Sequence, residues 1–167
     1  ISERKNQKYL IKVLEELGAE VKLILIGSDF DRVYSNELKE YIKLKNLNVE
    51  IIGKASQQEI SRVLAITTVF VSASVLEVQS LSVLESVSSG TPVVMLENET
   101  VQDFERLNGV TILNQSTLPP EFSKEVLKFV KMKPADYDQI SLSLKVFAQR
   151  FSPLDTAEVM LTILKEF

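Results

Sequence analysis

The sequence predicts an α/β domain built on a parallel sheet. Short, mostly apolar runs of strand length alternate along the chain with longer segments of helical period. Two of these runs end in glycine-led turns, at Gly27-Ser28-Asp29 and at Gly53. Strands that alternate with helices close by right-handed crossovers, and the strands they join run parallel.

The elements follow in order. Leu10, Val13, Leu14 and Leu17 fall at helical spacing, and Gly18 stands where a helix C-cap needs a residue tolerant of positive φ. Val21 to Ile26 is a buried strand, apolar along most of its length because both of its faces are to be covered. Leu38, Tyr41 and Ile42 mark a second helix that ends near Asn46, and Val49 to Ile52 is a short strand. Ser56 followed by Glu59 is a capping box, and it opens a helix with Ile60, Val63 and Leu64 on its inner face. Thr68 to Val71 is the next strand, followed by a loop and a helix for which Ser80 is the natural N-cap. Pro92 to Leu96 is a strand with proline at its first position, where a missing N–H is tolerated. Beyond it the sequence predicts a short helix near 102–107, a strand over Val110–Leu113 and a loop punctuated by Pro119-Pro120. Three helices then cover roughly 121–131, 134–150 and 154–166.

Composition narrows the chemistry. A chain of 167 residues suits one domain, with no internal repeat or linker, and 45% hydrophobic residues suffice for a core. A net charge of −4 argues against a nucleic-acid partner, which calls for a basic surface. No apolar run is long enough to span a membrane. Zero Cys excludes disulfides and thiolate chemistry, and zero His excludes a serine–histidine triad and the commonest general base and metal ligand. Carboxylates, hydroxyls, lysines and backbone amides are what remain.

In an open parallel sheet ligands bind beyond the carboxyl ends of the strands. Three segments become pocket walls on that rule: Gly27-Ser28-Asp29, Gly53-Lys54-Ala55, and the stretch from Ser72 to Ser80. The last is the most informative. It places Glu77 in a loop before a helix start, and Glu85 follows eight residues later inside the helix. Two acids supply acceptors for hydroxyl groups. The helix N-terminus supplies amides and a positive dipole end for a phosphate. Together they suit a phosphorylated sugar.

Ser74 with Glu77 and Glu85, continued by Gly90-Thr91-Pro92-Val93-Val94, resembles the E-x7-E signature of the donor-binding C-terminal domain of retaining glycosyltransferases of GT-B fold (family 4, group 1). Ser2-Glu3-Arg4-Lys5-Asn6, Gly27, Gly53-Lys54-Ala55-Ser56 with Glu59, and Phe151-Ser152-Pro153 extend the resemblance over nearly the whole chain. It implies a Rossmann-like parallel sheet with helices on both faces, the first strand lying ahead of Ile1. Residues 1–167 would then be one nucleotide-sugar-binding domain of a longer, two-domain protein. The implied activity moves a sugar from a nucleoside-diphosphate sugar to an acceptor held by an N-terminal domain.

The same resemblance implies roles. Glu77 contacts the donor sugar at the reacting carbon, and Lys5 pairs with the diphosphate. Gly27, Gly53 and Lys54 border the nucleotide, with Lys54 nearest the base. Val78 and Gln79 line the pocket, the amides of Ser80 and Leu81 meet phosphate oxygens, and Glu85 accepts from the ribose hydroxyls. No cofactor or metal is implied. The protein is expected in the cytoplasm, with any membrane contact made through the N-terminal domain. Val78 and Ser80 replace glycines of the family pattern, and Glu97-Asn98-Glu99-Thr100 stands where glycines are usual. Those departures keep open a degenerate, non-catalytic binding module derived from such a domain. An epimerase of the same fold is a weaker alternative, since the chain has no histidine. Locally, Ser82-Val83-Leu84-Glu85 also reads as a capping box, which would make Glu85 a helix-end residue.

Overall fold

The computed structural model describes residues 1–77 and 80–151. The helix expected over 154–166, Ser152-Pro153, and the site residues Val78 and Gln79 lie outside them. Among the described residues there are five strands: β1 (Leu23–Ile26), β2 (Val49–Ile52), β3 (Phe70–Ser72), β4 (Val93–Leu96) and β5 (Val110–Leu113). The helices are α1 (Gln7–Leu17), α2 (Arg32–Leu44), α3 (Gln57–Leu64), α4 (Leu81–Ser89), α5 (Pro119–Val130) and α6 (Pro134–Ala148).

Every strand pair is parallel, and the strands form two ladders, β1–β2 and β3–β4–β5. β4 is the middle strand of the larger ladder, and all four of its residues are buried. Successive side chains leave a strand on opposite faces. Val94 and Leu96 accordingly pack with Leu10, Val13, Phe122, Val126 and Phe129 of α1 and α5. Val93 and Met95 pack with Val83, Val87 and Leu144 of α4 and α6. Helices therefore cover both faces, and this is why β4 carries no polar residue. A third cluster joins Ile11 of α1 to Leu25, Tyr34 and Leu38. Leu10 and Val13 belong to one cluster and Ile11 to the other, so α1 ties the two ladders together. Between the ladders, β1 and β3 border a hollow of ≈ 520 Å³.

Local signals place most elements well. Gly18 ends α1 at φ 85°, and Ser56 and Glu59 form the reciprocal capping box of α3. Pro119 and Pro120 do not punctuate a loop. They occupy the first turn of α5, where the absent N–H has no helical partner to lose. The short helix expected near 102–107 is a single 3-10 turn at Val101–Asp103. Among the described residues no helix is long and apolar enough to cross a membrane.

All four tyrosines have raised pKa values. Burial drives Tyr9 up to about 12, with the Glu121 carboxylate adding to it, and the Tyr9 hydroxyl donates to Thr117 O at 2.8 Å. Burial also raises Tyr34 and Tyr137, whereas Tyr41 is raised first by donating to the Glu15 carboxylate. A folded pKa above the unfolded one favours the protonated, native form. That contribution is complete below about pH 10 and is lost as pH climbs through the folded values, near 12 for Tyr9. Tyrosinate absorbance is thus expected to lag behind that of free tyrosine and to rise together with loss of circular dichroism. A titration coinciding with free tyrosine would contradict this.

Candidate functional site

The site lies where the loops leave the carboxyl ends of the strands. β3 runs into Ala73 and Ser74, both buried, and the chain then exposes Val75 and Leu76 before Glu77. The Val75 amide donates to Arg4 O at 3.0 Å, which pins this loop to a 3-10 turn formed by Glu3–Lys5. Asn6, at φ 50°, ends that turn and starts α1. The turn presents Lys5 to the loop, and the Lys5 ammonium forms an ion pair with Glu77 Oε1. Glu77 is the better buried partner, with 10% of its side chain exposed against 37% for Lys5. Two expected site residues that are 72 positions apart in sequence therefore meet.

Ser80 stands at the N-cap position of α4, but its side chain makes no capping bond. Its hydroxyl instead bonds the Thr100 hydroxyl, and Thr100 donates onward to Asn98 Oδ1 at 2.8 Å. Since each hydroxyl has one hydrogen, Ser80 is the donor to Thr100. Asn98 Oδ1 also accepts from the Thr100 amide at 3.0 Å, which fixes the orientation of the Asn98 amide. The expected capping of α4 by the Ser80 side chain is not made: Ser80 takes ψ 64°, outside the extended region an N-cap residue adopts, and its hydroxyl turns to Thr100 instead. Leu81 opens the helix with its side chain exposed.

Glu85 lies one turn into α4 and faces α3, where its Oε1 accepts from Gln57 Nε2 at 2.9 Å. It lines both the hollow between the ladders and a smaller one of ≈ 280 Å³ between α3 and α4. Glu77 and Glu85 thus have different partners, Lys5 for one and Gln57 for the other. The capping-box reading of Glu85 does not hold, because α4 already begins at Leu81 and Ser82 lies within it.

The remaining pocket walls are held by backbone and by α2. Gly27 takes φ 149°, and its N–H is shared between Ile52 O at 3.1 Å and Gly53 O at 3.2 Å. That bond brings Gly27 and Gly53 together, with Gly53 and Lys54 exposed beside them. Asp29 is turned to α2, accepting from Ser35 Oγ at 2.9 Å and pairing with Lys39 at 3.0 Å. The Lys39 ammonium and then the Ser35 hydroxyl lower its pKa. Gln115 had no signal in the sequence beyond its place after a strand. Its side-chain amide donates to Glu97 O and, at 3.4 Å, to Ser74 O, so it ties together the loops after β3, β4 and β5. Among the described residues no three His, Cys, Asp or Glu side chains gather to hold a metal ion.

The sequence model for glycosyl transferases group 1 matches residues 1–141. Among curated proteins nothing matches. Among solved structures, the chain superposes on Anabaena Alr3699/HepE in complex with UDP and glucose with a TM-score of 0.86 at 20% identity, covering 100% of this chain and 46% of that one. A glycosyltransferase from Rickettsia africae gives a TM-score of 0.85 at 17% identity, covering 99% of this chain and 45% of the other. A mutant of S. aureus TarM, in complex with fondaparinux, alpha-GlcNAc-glycerol and UDP, gives 0.73 at 22% identity, with 95% and 32% covered. The chain spans less than half the length of each.

Proposed function

The chain belongs to the glycosyl transferases group 1 family and has its Rossmann-like GT-B architecture, and on that premise we propose that it is the donor-binding domain of a longer, two-domain glycosyltransferase. The donor is a nucleoside-diphosphate sugar, and transfer proceeds with retention to an acceptor bound by an N-terminal domain. The meeting of Lys5 and Glu77 beside the start of α4 carries this reading. It sets one ammonium and one carboxylate together at the end of the sheet where ligands of open α/β folds bind. On diphosphate entry Lys5 turns to the phosphate oxygens and neutralises the departing charge, while the Ser80 and Leu81 amides at the positive end of α4 hold the same group. Glu77, released from Lys5, accepts from the donor sugar, and Glu85 exchanges Gln57 for the ribose hydroxyls. Gly27, Gly53 and Lys54 form the wall beside the base.

UDP is the first nucleotide to test, because it is present in the HepE and TarM complexes. Calorimetric titration is expected to show weak binding by residues 1–167 and tighter binding by the two-domain protein. Lys5→Ala should weaken UDP about tenfold or more, the loss of a charge-assisted bond of about 1.5–3 kcal/mol. Glu85→Ala tests the ribose contact in the same titration. Binding of UDP, GDP or ADP by neither form of the protein overturns the proposal.

One observation favours a second reading, a degenerate binding module. The Ser80 hydroxyl and the Glu77 carboxylate are both satisfied within the chain, by Thr100 and Lys5. That reading expects nucleotide to leave both contacts intact, with Lys5→Ala having no effect on nucleotide affinity.

A further inference from the structure

We propose that Tyr34 is a positioning residue for Lys5: its phenol oxygen caps α1 from the neighbouring helix and so fixes the turn that presents Lys5 to Glu77. For the ion pair, this stands on geometry alone. For nucleotide binding, it rests on Lys5 serving the diphosphate as proposed.

The first four N–H groups of a helix have no partner within it, and the residue ahead of the helix ordinarily offers them a side-chain acceptor. At α1 that residue is Asn6, a good N-cap by type, yet its side chain makes no such bond. Asn6 sits at φ 50° and ψ 42°, far from the extended backbone that aims an N-cap side chain at its helix. Its own N–H closes the preceding 3-10 turn by donating to Glu3 O at 2.8 Å. The conformation that ends that turn deprives α1 of a local cap.

Tyr34 supplies what Asn6 does not. Its hydroxyl oxygen accepts from the Lys8 amide, in the first turn of α1, at 3.0 Å and across 26 positions of sequence. The ring that carries this oxygen has little freedom. Tyr34 lies in the first turn of α2, only 7% exposed, in one cluster with Ile11, Leu25 and Leu38. Its amide donates to Asp31 Oδ1 at 3.0 Å, which anchors it to the start of α2. The other three phenols donate, to Thr117 O, to Glu15 and to Thr68 O. Among the described residues, Tyr34 alone of the four accepts from a backbone amide.

The site joins directly onto this helix start. The Tyr9 amide returns to Asn6 O at 3.0 Å, and Asn6 is the residue after the Glu3–Lys5 turn. On its other side the turn is held by the Val75 amide, which donates to Arg4 O at 3.0 Å. Lys5 is therefore gripped between the loop bearing Glu77 and the first turn of α1. Without the phenol oxygen the Lys8 amide loses its acceptor, and the grip on the α1 side is expected to loosen.

Tyr34→Phe removes that oxygen and keeps the ring. Ile11→Val is the matched control: it thins the same cluster at a comparable loss of stability and leaves the cap in place. In the full-length protein without nucleotide, a carbodiimide couples the Lys5 amine to the Glu77 carboxylate as an amide, and mass spectrometry measures the yield. Tyr34→Phe is expected to lower that yield about threefold or more, with Ile11→Val unchanged. Calorimetric titration with UDP should follow the same order, with affinity about threefold weaker in Tyr34→Phe alone. A wild-type yield in Tyr34→Phe overturns the proposal. Equal losses in both variants also overturn it, since they assign the effect to packing. If the unaltered protein binds no UDP, the nucleotide reading fails while the cross-link still decides the role of Tyr34. A lower yield with unchanged UDP affinity upholds the cap and overturns Lys5 as the diphosphate partner.

Discussion

Replacing Phe122 with alanine is expected to remove about 3–5 kcal/mol of folding stability, a large share of the roughly 5–15 kcal/mol that such a domain has. Phe122 is fully buried, and it packs edge-on against Tyr9 with ring centroids 5.6 Å apart. It sits in the cluster that holds Leu10 and Val13 of α1 against Ala73 and β4. Those neighbours carry the turn bearing Lys5 and the loop bearing Glu77, so the cavity opens beneath the site. Urea unfolding followed by circular dichroism measures the effect, with a lower midpoint at unchanged slope. A loss below about 1 kcal/mol would mean that the cluster closes over the cavity or does not carry the fold. If nucleotide binds as proposed, its affinity should fall as well, since both partners of the ion pair lose their support.

Gly90→Val is the second large effect, expected to destabilise by about 2–5 kcal/mol. Gly90 ends α4 at φ 78°, in the left-handed region, where a side chain costs roughly 1–2 kcal/mol. Any Cβ there would also press into α6: it would overlap Ser141 Oγ, lie 2.6 Å from Lys145 Cε and 3.0 Å from Ser141 O. Overpacking of this kind adds about 1–3 kcal/mol. Gly18→Ala separates the two causes, because Gly18 has φ 85° but nothing within 4 Å of the added Cβ. Gly18→Ala should show the conformational cost alone, and Gly90→Ala should exceed it. Equal losses at both positions would remove the packing contribution. Gly90 was readable in the sequence as a helix stop, whereas its second duty, admitting α6, depends on residues some fifty positions downstream.

The division at Gly90 holds through the molecule. Helix periods, the capping box of Ser56 and Glu59, the glycine stops and the strand opened by Pro92 were legible in the residues. Each depends on neighbours within a turn or two, or on the apolar character of a single run. Misreadings arose where local preference met competition. Ser80 is a good N-cap by type, yet the loop holds it at ψ 64° and turns its hydroxyl to Thr100. Pro119-Pro120 fits a turn or a first helical turn equally well, and the packing of Phe122 and Val126 selects the helix.

For the site, sequence spacing named three candidate segments, and the family resemblance named Lys5, Glu77 and Glu85. Pairing was beyond its reach. Lys5 meets Glu77 because strand order carries both to one end of the sheet, and Glu85 meets Gln57 because α3 and α4 lie side by side. Gln115 joins three loops for the same reason. Local chemistry thus chose the elements of this chain. The partners of its charged side chains were set by contacts between distant residues, which no window along the sequence contains.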